Sequence, residues 1–486
     1  MVRKRSKSLL GISPRFSSRV AFGKIGTIAM LLFTQSCATY YQTNQNFNNA
    51  FEQGNLDQAL QSLRSNPSGK RGKTEFLYLV NNGLVLSMLG RYEESNEYFE
   101  KAYLFGEDYR KNYLNEAASY LTNPTFTEYR GEDHEHLMVL YYKAINYLKD
   151  SKYQQALVEC RRLNIRLQQL SDRYDSGRKY REDAFVHTLM GIIYEADHDY
   201  NNAFIAYRNA YEIYQNAYAT LFDLQAPAQL REDILRTAFL TGLKDELIYF
   251  EEQFDRTDYQ YTEPAGGELV FFWHNGLSPV KSEWGINFVI TRKQNVLVFS
   301  NPELGLTFPF SIDDYDEDDR KGLADLEVFR VAFPRYVRRP THFKSATLTT
   351  GKEVYPLQEA EDITEIAIHS LEQRMTLEFS KALLRAAVKK LSEHQLKKQD
   401  KTLGSVLGII NAITEKADTR NWQTLPSAIH YARVPLRQGK NEVLFELQSG
   451  SGTPTRYDFT YEASRGKTLF HTFASLETGY PSYGYY

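Results

Sequence analysis

Cysteine is almost missing: the 486 residues hold two, Cys37 and Cys160. That excludes a disulfide-stapled fold, and a single thiol left over after any modification of the other has no intrachain partner. Acidic residues are absent before Glu52, whereas Arg3, Lys4, Arg5, Lys7, Arg15, Arg19 and Lys24 are basic. Long apolar runs are lacking too. The clearest, IGTIAMLLFT at 25–34, has about ten residues, half of the ~20 that a membrane-crossing helix needs. A surplus of basic charge is also missing. Seven of the 58 Lys and Arg residues, and none of the 61 Asp and Glu, precede Cys37, so the remaining chain carries 51 against 61. An acidic body excludes nucleic acid as an expected partner.

What the N-terminus does contain is a basic stretch, a short apolar core, small polar residues and then Cys37. This order reads as a secretory leader. The sequence Thr34-Gln35-Ser36-Cys37 resembles a bacterial lipoprotein signal, although a Leu or Val is usual three residues before the Cys. The reading makes 1–36 a signal peptide, Cys37 the lipid attachment site and 37–46 a polar tether. An acyl anchor on one end of a soluble body follows, facing the periplasm from the outer membrane.

Residues 47–257 carry a helical repeat. In FLYLVNNGLVLSMLGRYEESNEYFEKAY (76–103), Gly83 and Ser95 are small where Leu79, Leu86 and Phe99 are large, at intervals of three and four. That is the tetratricopeptide (TPR) pattern, two helices joined by a tight turn. The same register returns with Leu140, Ala144, Tyr147, Ala156, Cys160 and Leu163, and again with His187, Gly191, Tyr194, Ala203, Tyr207 and Ala210. Residues 51–67 close an earlier copy and 229–254 offer a degenerate last one. One hairpin cannot bury its apolar face alone, so the copies stack and curve, and their concave face is expected to receive another envelope protein or peptide. No pair of Asn and Lys recurs as a clamp for chain termini would require. Cys160 and His187 read as packed seam residues rather than a nucleophile and a ligand. Glu132 to His136 (EDHEH) lacks a third ligand, and positions two apart do not share a helix face, so it reads as a solvated helix start.

At Pro264-Ala265-Gly266-Gly267 the period changes. Runs at 268–274, 284–290, 295–299, 326–337 and 346–354 are β-prone. Ile363, Ala367, Leu371, Met375, Phe379, Leu383, Ala387 and Leu391 then recur every four residues as one helix stripe, flanked by Arg374, Lys381, Arg385, Lys389 and Lys390. A second apolar helix at 403–413 either closes a helical hairpin or touches lipid. Alternation resumes at 428–434, 441–447, 455–461 and 468–474, as two hairpins completing the sheet. The expected class is α+β: an N-terminal all-α TPR-like solenoid, then a mostly antiparallel, sandwich-like β domain at 258–478 with a helical insertion at about 360–415, and a tail at 479–486.

GELVFFWHNGLSPVK (267–281), VAFPRYV (331–337), SLEQRM (370–375) and DTRNWQTLPSAIHYARVPLRQG (418–439) resemble, in order, a family of Gram-negative bacterial lipoproteins with a TPR-like N-terminal half. The resemblance implies an envelope role and, through genes found beside such proteins, an association with penicillin-binding-protein activators. It implies no activity.

Enzyme signals are thin. Ser278-Pro279-Val280-Lys281 matches S-x-x-K, which needs Ser and Lys one helical turn apart, yet Pro279 and flanking strands argue for a turn. Asp314, Asp316 and Asp318 alternate as in a calcium loop, but Asp319 replaces the turn Gly and Asp325 the bidentate Glu. His274 lacks a nameable catalytic partner. The expectation is a non-enzymatic protein-binding scaffold without metal or cofactor. Two alternatives stay open: a wall- or glycan-processing hydrolase with a polar cleft near Gly276 or Trp422, and a secretion component touching lipid through 363–413.

Overall fold

A computed structural model describes residues 40–66, 72–111, 127–171, 182–293, 296–311, 328–375, 378–380, 382–383, 417–450 and 452–479. Its first half holds five antiparallel helix pairs: α1 Gln45–Glu52 with α2 Leu56–Ser65, α3 Glu75–Met88 with α4 Tyr92–Lys111, α5 Asp133–Lys149 with α6 Tyr153–Ser171, α7 Ala184–Ala196 with α8 Tyr200–Ile213, and α9 Ala228–Thr241 with α10 Lys244–Gln253. Each helix packs on the next along the chain. The seams explain the small residues. A Cβ on Gly83 would lie 2.7 Å from the Phe99 ring, and one on Gly191 would lie 2.4 Å from Tyr207. Cys160 occupies the equivalent seam of the third pair and is buried. Asp183 and Asp199 start α7 and α8 by accepting from Val186 N (2.8 Å) and Asn202 N (3.2 Å). Gly242, at φ 72°, ends α9 in the left-handed conformation.

The second half has twelve strands among the described residues: β1 Glu268–Asn275, β2 Val280–Lys293, β3 Val296–Asn301, β4 Leu306–Ser311, β5 Val328–Val337, β6 Phe343–Thr350, β7 Glu353–Pro356, β8 Gln358–Asp362, β9 Ala428–Pro435, β10 Gly439–Ser449, β11 Thr455–Ala463 and β12 Thr468–Ser475. They form three four-stranded sheets, ordered β12-β1-β9-β8, β11-β10-β6-β7 and β4-β3-β2-β5. The first two pack face to face, and the helix pairs cover the open face of the first. Strand β1 shows why its sequence is apolar throughout. Leu269, Phe271 and Trp273 enter the core between the sheets, while Val270 and Phe272 enter the core shared with the helices. A strand buried on both faces reads as a continuous apolar run.

Several expectations are corrected here. Only β10 and β11 form a closing hairpin; β9 and β12 both pair with β1, and β12 does so in parallel, Glu268 opposite Thr468. Strand β4 contains Pro309 and is tolerated because it is an edge strand. Strand β8, QEAED, has poor β-propensity and is held by pairing with β9. Residues 363–375 are helical. Further along that stripe, Phe379, Ala382 and Leu383 pack with Phe288, Phe299 and Phe333 of the third sheet. The rest of the helical insertion, the acidic stretch 313–319, Cys37 with its leader, and 480–486 lie outside the described residues.

Candidate functional site

The helix pairs form two layers, one of first helices and one of second helices. The first-helix layer faces the chain's own second half. An irregular segment, 417–427, runs between this layer and the sheets, where a bound peptide was expected. Its residues reach successive helices. Gln423 Nε2 donates to Asn48 of α1 (2.6 Å), Thr424 Oγ1 to Asn81 of α3 (2.7 Å), and the Trp422 N–H to Glu135 of α5 (2.5 Å). Farther along, His274 of β1 shares a 2.8 Å hydrogen bond with Tyr141 of α5. Tyr214 and Tyr218, which follow α8, donate to the Ala360 carbonyl (2.7 Å) and the Glu361 carboxylate (3.0 Å). The first-helix layer is therefore covered by residues of this chain. The sequence pattern identifies a gripping surface but not which polypeptide fills it.

Two buried polar clusters lock this interface. At the first, Glu132 caps α5 in a reciprocal capping box with Glu135 and pairs with Lys281 of β2 and with Arg374. Burial alone would raise the Glu132 carboxyl, but Arg374 and Lys281 override it and hold it well below the usual range. Glu135 accepts from Tyr129 Oη (2.9 Å), and burial, then the Glu132 charge, push its carboxyl up to about 7. His134 is buried, which lowers it to about 3 and keeps it neutral. The EDHEH stretch is thus a buried helix start, not a solvated one. The signal that would have found it is the E-x-x-E spacing just before an apolar run.

At the second cluster, Arg433 of β9 meets Glu195 of α7 (2.9 Å), Asp233 of α9 (3.2 Å) and Glu268 of β1. Arg236 pairs with the same Glu195 (2.6 Å) and Asp233 (2.5 Å), and Tyr207 donates to Glu195 (2.9 Å). No spacing in the sequence announces this cluster, because its members come from five separate elements.

The remaining sequence candidates fall as follows. Ser278 lies in the β1–β2 turn with Oγ 3.4 Å from the Trp422 carbonyl, while Lys281 is committed to Glu132. His274 sits between the rings of Tyr141 and Tyr142, and burial lowers it to about 3. Burial also pushes the Cys160 thiol far up, away from nucleophilic use. His187 is half-buried and borders a polar groove instead of filling a seam. Among the described residues no group of three His, Cys, Asp or Glu could hold a metal ion, and no helix is long and apolar enough to cross a membrane.

Glu135 gives a pH signature. Its carboxyl keeps a proton up to about 7 in the folded chain, against 4.5 for an ordinary Glu. Folding then binds a proton between those values, so this stabilisation is full below about 4.5 and is lost as pH rises towards 7. Glu359, raised to about 7, and Asp362, raised to about 6, act in the same direction. Urea midpoints of the native chain should fall between pH 5 and 7. Glu135→Gln should flatten that slope; an unchanged slope would remove Glu135 from the account.

The second-helix layer is different. Among the described residues it carries six exposed large apolar side chains, Leu104, Val158, Ile165, Ile205, Ile248 and Tyr249, at 38–55 % exposure, against one, Leu240, on the first helices. Between α6, α7 and α8 lies a groove of about 440 Å³ bordered by Asn164, Gln168, Asn209 and Asn216.

No protein-family model matches the sequence, and no curated protein matches it. Among solved structures, a crystal structure of MamA is similar over 43 % of this chain and 91 % of its own, at 14 % identity and a TM-score of 0.28. MamA 41-end from Desulfovibrio magneticus RS-1 is similar over 45 % and 94 %, at 17 % and 0.29. BtubC (BKLC) from P. vanneervenii is similar over 50 % and 89 %, at 14 % and 0.29. Likeness at this level carries no argument about function.

Proposed function

We propose that this chain is a non-enzymatic scaffold of the cell envelope, held at the outer membrane by an acyl chain on Cys37 and gripping another envelope protein through its second-helix layer. The observation that carries the gripping surface is the contrast between the two layers. The first is sealed by buried bonds to residues 417–427 and to β1, β8 and β9. The second presents Leu104, Val158, Ile165, Ile205, Ile248 and Tyr249 to solvent on four helices. A layer that presents several apolar side chains to water offers what a protein contact would bury. The anchor rests on the leader sequence and on the family resemblance. A wall- or glycan-processing hydrolase would need Glu132, His134 or Glu135 to reach substrate near Trp422, and all three are buried.

Crosslinking and affinity purification from envelope membranes would test both parts. The native chain should recover one partner in stoichiometric amount. Ile165→Asp/Ile248→Asp changes only exposed positions, so the fold should persist while recovery drops at least tenfold. Cys37→Ala should move the chain to the soluble fraction. Equal recovery with the double variant would remove the surface, and membrane retention of Cys37→Ala would remove the anchor.

A further inference from the structure

The groove between α6, α7 and α8 is polar, and its polarity is of one kind. Asn164 and Gln168 stand one turn apart on α6; Asn209 and Asn216 stand two turns apart on α8 and the turn after it. Much of the hydrogen-bonding capacity of the three asparagines is unspent. The Asn209 side chain has no hydrogen bond among the described residues. Asn164 Nδ2 meets only the Met190 sulfur, at 3.6 Å. Asn216 Nδ2 donates to the Glu212 carbonyl, which leaves its own amide oxygen over. A carboxamide presents one acceptor and two donors on adjacent atoms, the complement of a peptide group. The spacing also fits. Four residues of helix rise about 6 Å and seven about 10.5 Å, close to two and three residues of extended chain at ~3.3 Å each.

We infer that this groove binds an extended polypeptide segment through its main chain, with a preference for basic side chains. Charge supports the preference: Glu182 and Glu212 border the groove, and among the described residues no Lys or Arg does. Arg208 approaches Glu212 only to 3.9 Å. A sugar chain fits less well, because sugars favour flat aromatic platforms and, among the described residues, no Phe, Tyr or Trp borders the groove. Ile165 lies beside Asn164, and Ile205 one turn before Asn209, so the groove belongs to the second-helix layer. The inference rests on the scaffold reading of that layer and names the chemistry of its ligand.

The test uses the purified full chain and three labelled probes followed by fluorescence anisotropy: a twelve-residue peptide of alternating Lys and Ser, its Glu and Ser counterpart, and a hexamer of β-1,4-linked N-acetylglucosamine. The Lys peptide should bind and the other two should not. Asn164→Ala and Asn209→Ala, made singly on different helices and checked for unchanged melting, should each weaken binding at least fivefold. Glu212→Gln should reduce the preference for Lys over Glu. Failure of the Lys peptide to bind, affinities within twofold in both amide variants, or binding of the sugar with the same sensitivity would each overturn the inference. If the probes fail while Ile165→Asp/Ile248→Asp still abolishes partner recovery, the groove is wrong and the scaffold reading stands; loss of neither effect removes both.

Discussion

Replacing Arg433 with Met should destabilise the folded chain by about 3–5 kcal/mol, because it removes one partner from a buried ionic network. Its side chain is 4 % exposed and bridges Glu195, Asp233 and Glu268, drawn from α7, α9 and β1. In the native chain two guanidinium groups, Arg433 and Arg236, serve these three carboxylates. The variant leaves Arg236 alone with all of them. Burial already raises the Glu268 carboxyl despite Arg433 beside it, so Glu268 is the member readiest to take a proton. Two further outcomes follow. Arg433→Met/Glu268→Gln should regain part of the loss, and the cost of Arg433→Met should be smaller at pH 5 than at pH 8. Urea unfolding of the four chains of this cycle measures the coupling directly. A cost below about 1 kcal/mol for Arg433→Met would mean that the network is incidental to holding the helices on the sheet.

The helix pairs were readable because their signal is local. Gly83 opposite Phe99 and Gly191 opposite Tyr207 are each a contact between neighbouring helices of one hairpin, and three- and four-residue spacing encodes it. The strands were readable where both faces are apolar, as in β1, and unreadable where the residues are poor β-formers held by a partner, as in β8. Topology was not readable. That β12 joins β1 in parallel depends on contacts 200 residues apart, and no turn residue reports them. The candidate site shows the same division. The E-x-x-E cap of α5 stands in the sequence in plain form but reads as a solvated end, because nothing local reveals that Lys281 and Arg374 arrive from other elements. What the repeats do not announce is the occupant of the first-helix layer: segment 417–427 lies there, and no local spacing in it reports contacts to helices more than 280 residues away.

That segment makes the second large prediction. Trp422 is fully buried and stands 6.0 Å from the rings of both Phe99 and Tyr142. Its flanking residues Asn421, Gln423, Thr424 and Leu425 are buried as well, although none belongs to a helix or strand. The segment is therefore held by packing and by side-chain bonds to α1, α3 and α5, not by a ladder of its own. Truncating Trp422 to Ala removes the central ring and opens a cavity that the rigid helix pairs can only partly close, so the expected cost is about 3–5 kcal/mol. Trp422→Phe tests whether the loss is volume or hydrogen bonding. The indole Nε1 has no partner among the described residues, so Phe discards an unsatisfied buried donor while keeping most of the ring contacts. Its cost should stay below about 1.5 kcal/mol. Thermal unfolding should rank native, Phe and Ala in that order, and limited proteolysis of the Ala variant should show cleavage near 417–427 before global unfolding. If Phe costs as much as Ala, an undescribed bond to Nε1 holds the segment. If Ala costs little, the segment is a passenger in the hollow, and the first-helix layer is open to a competing peptide after all.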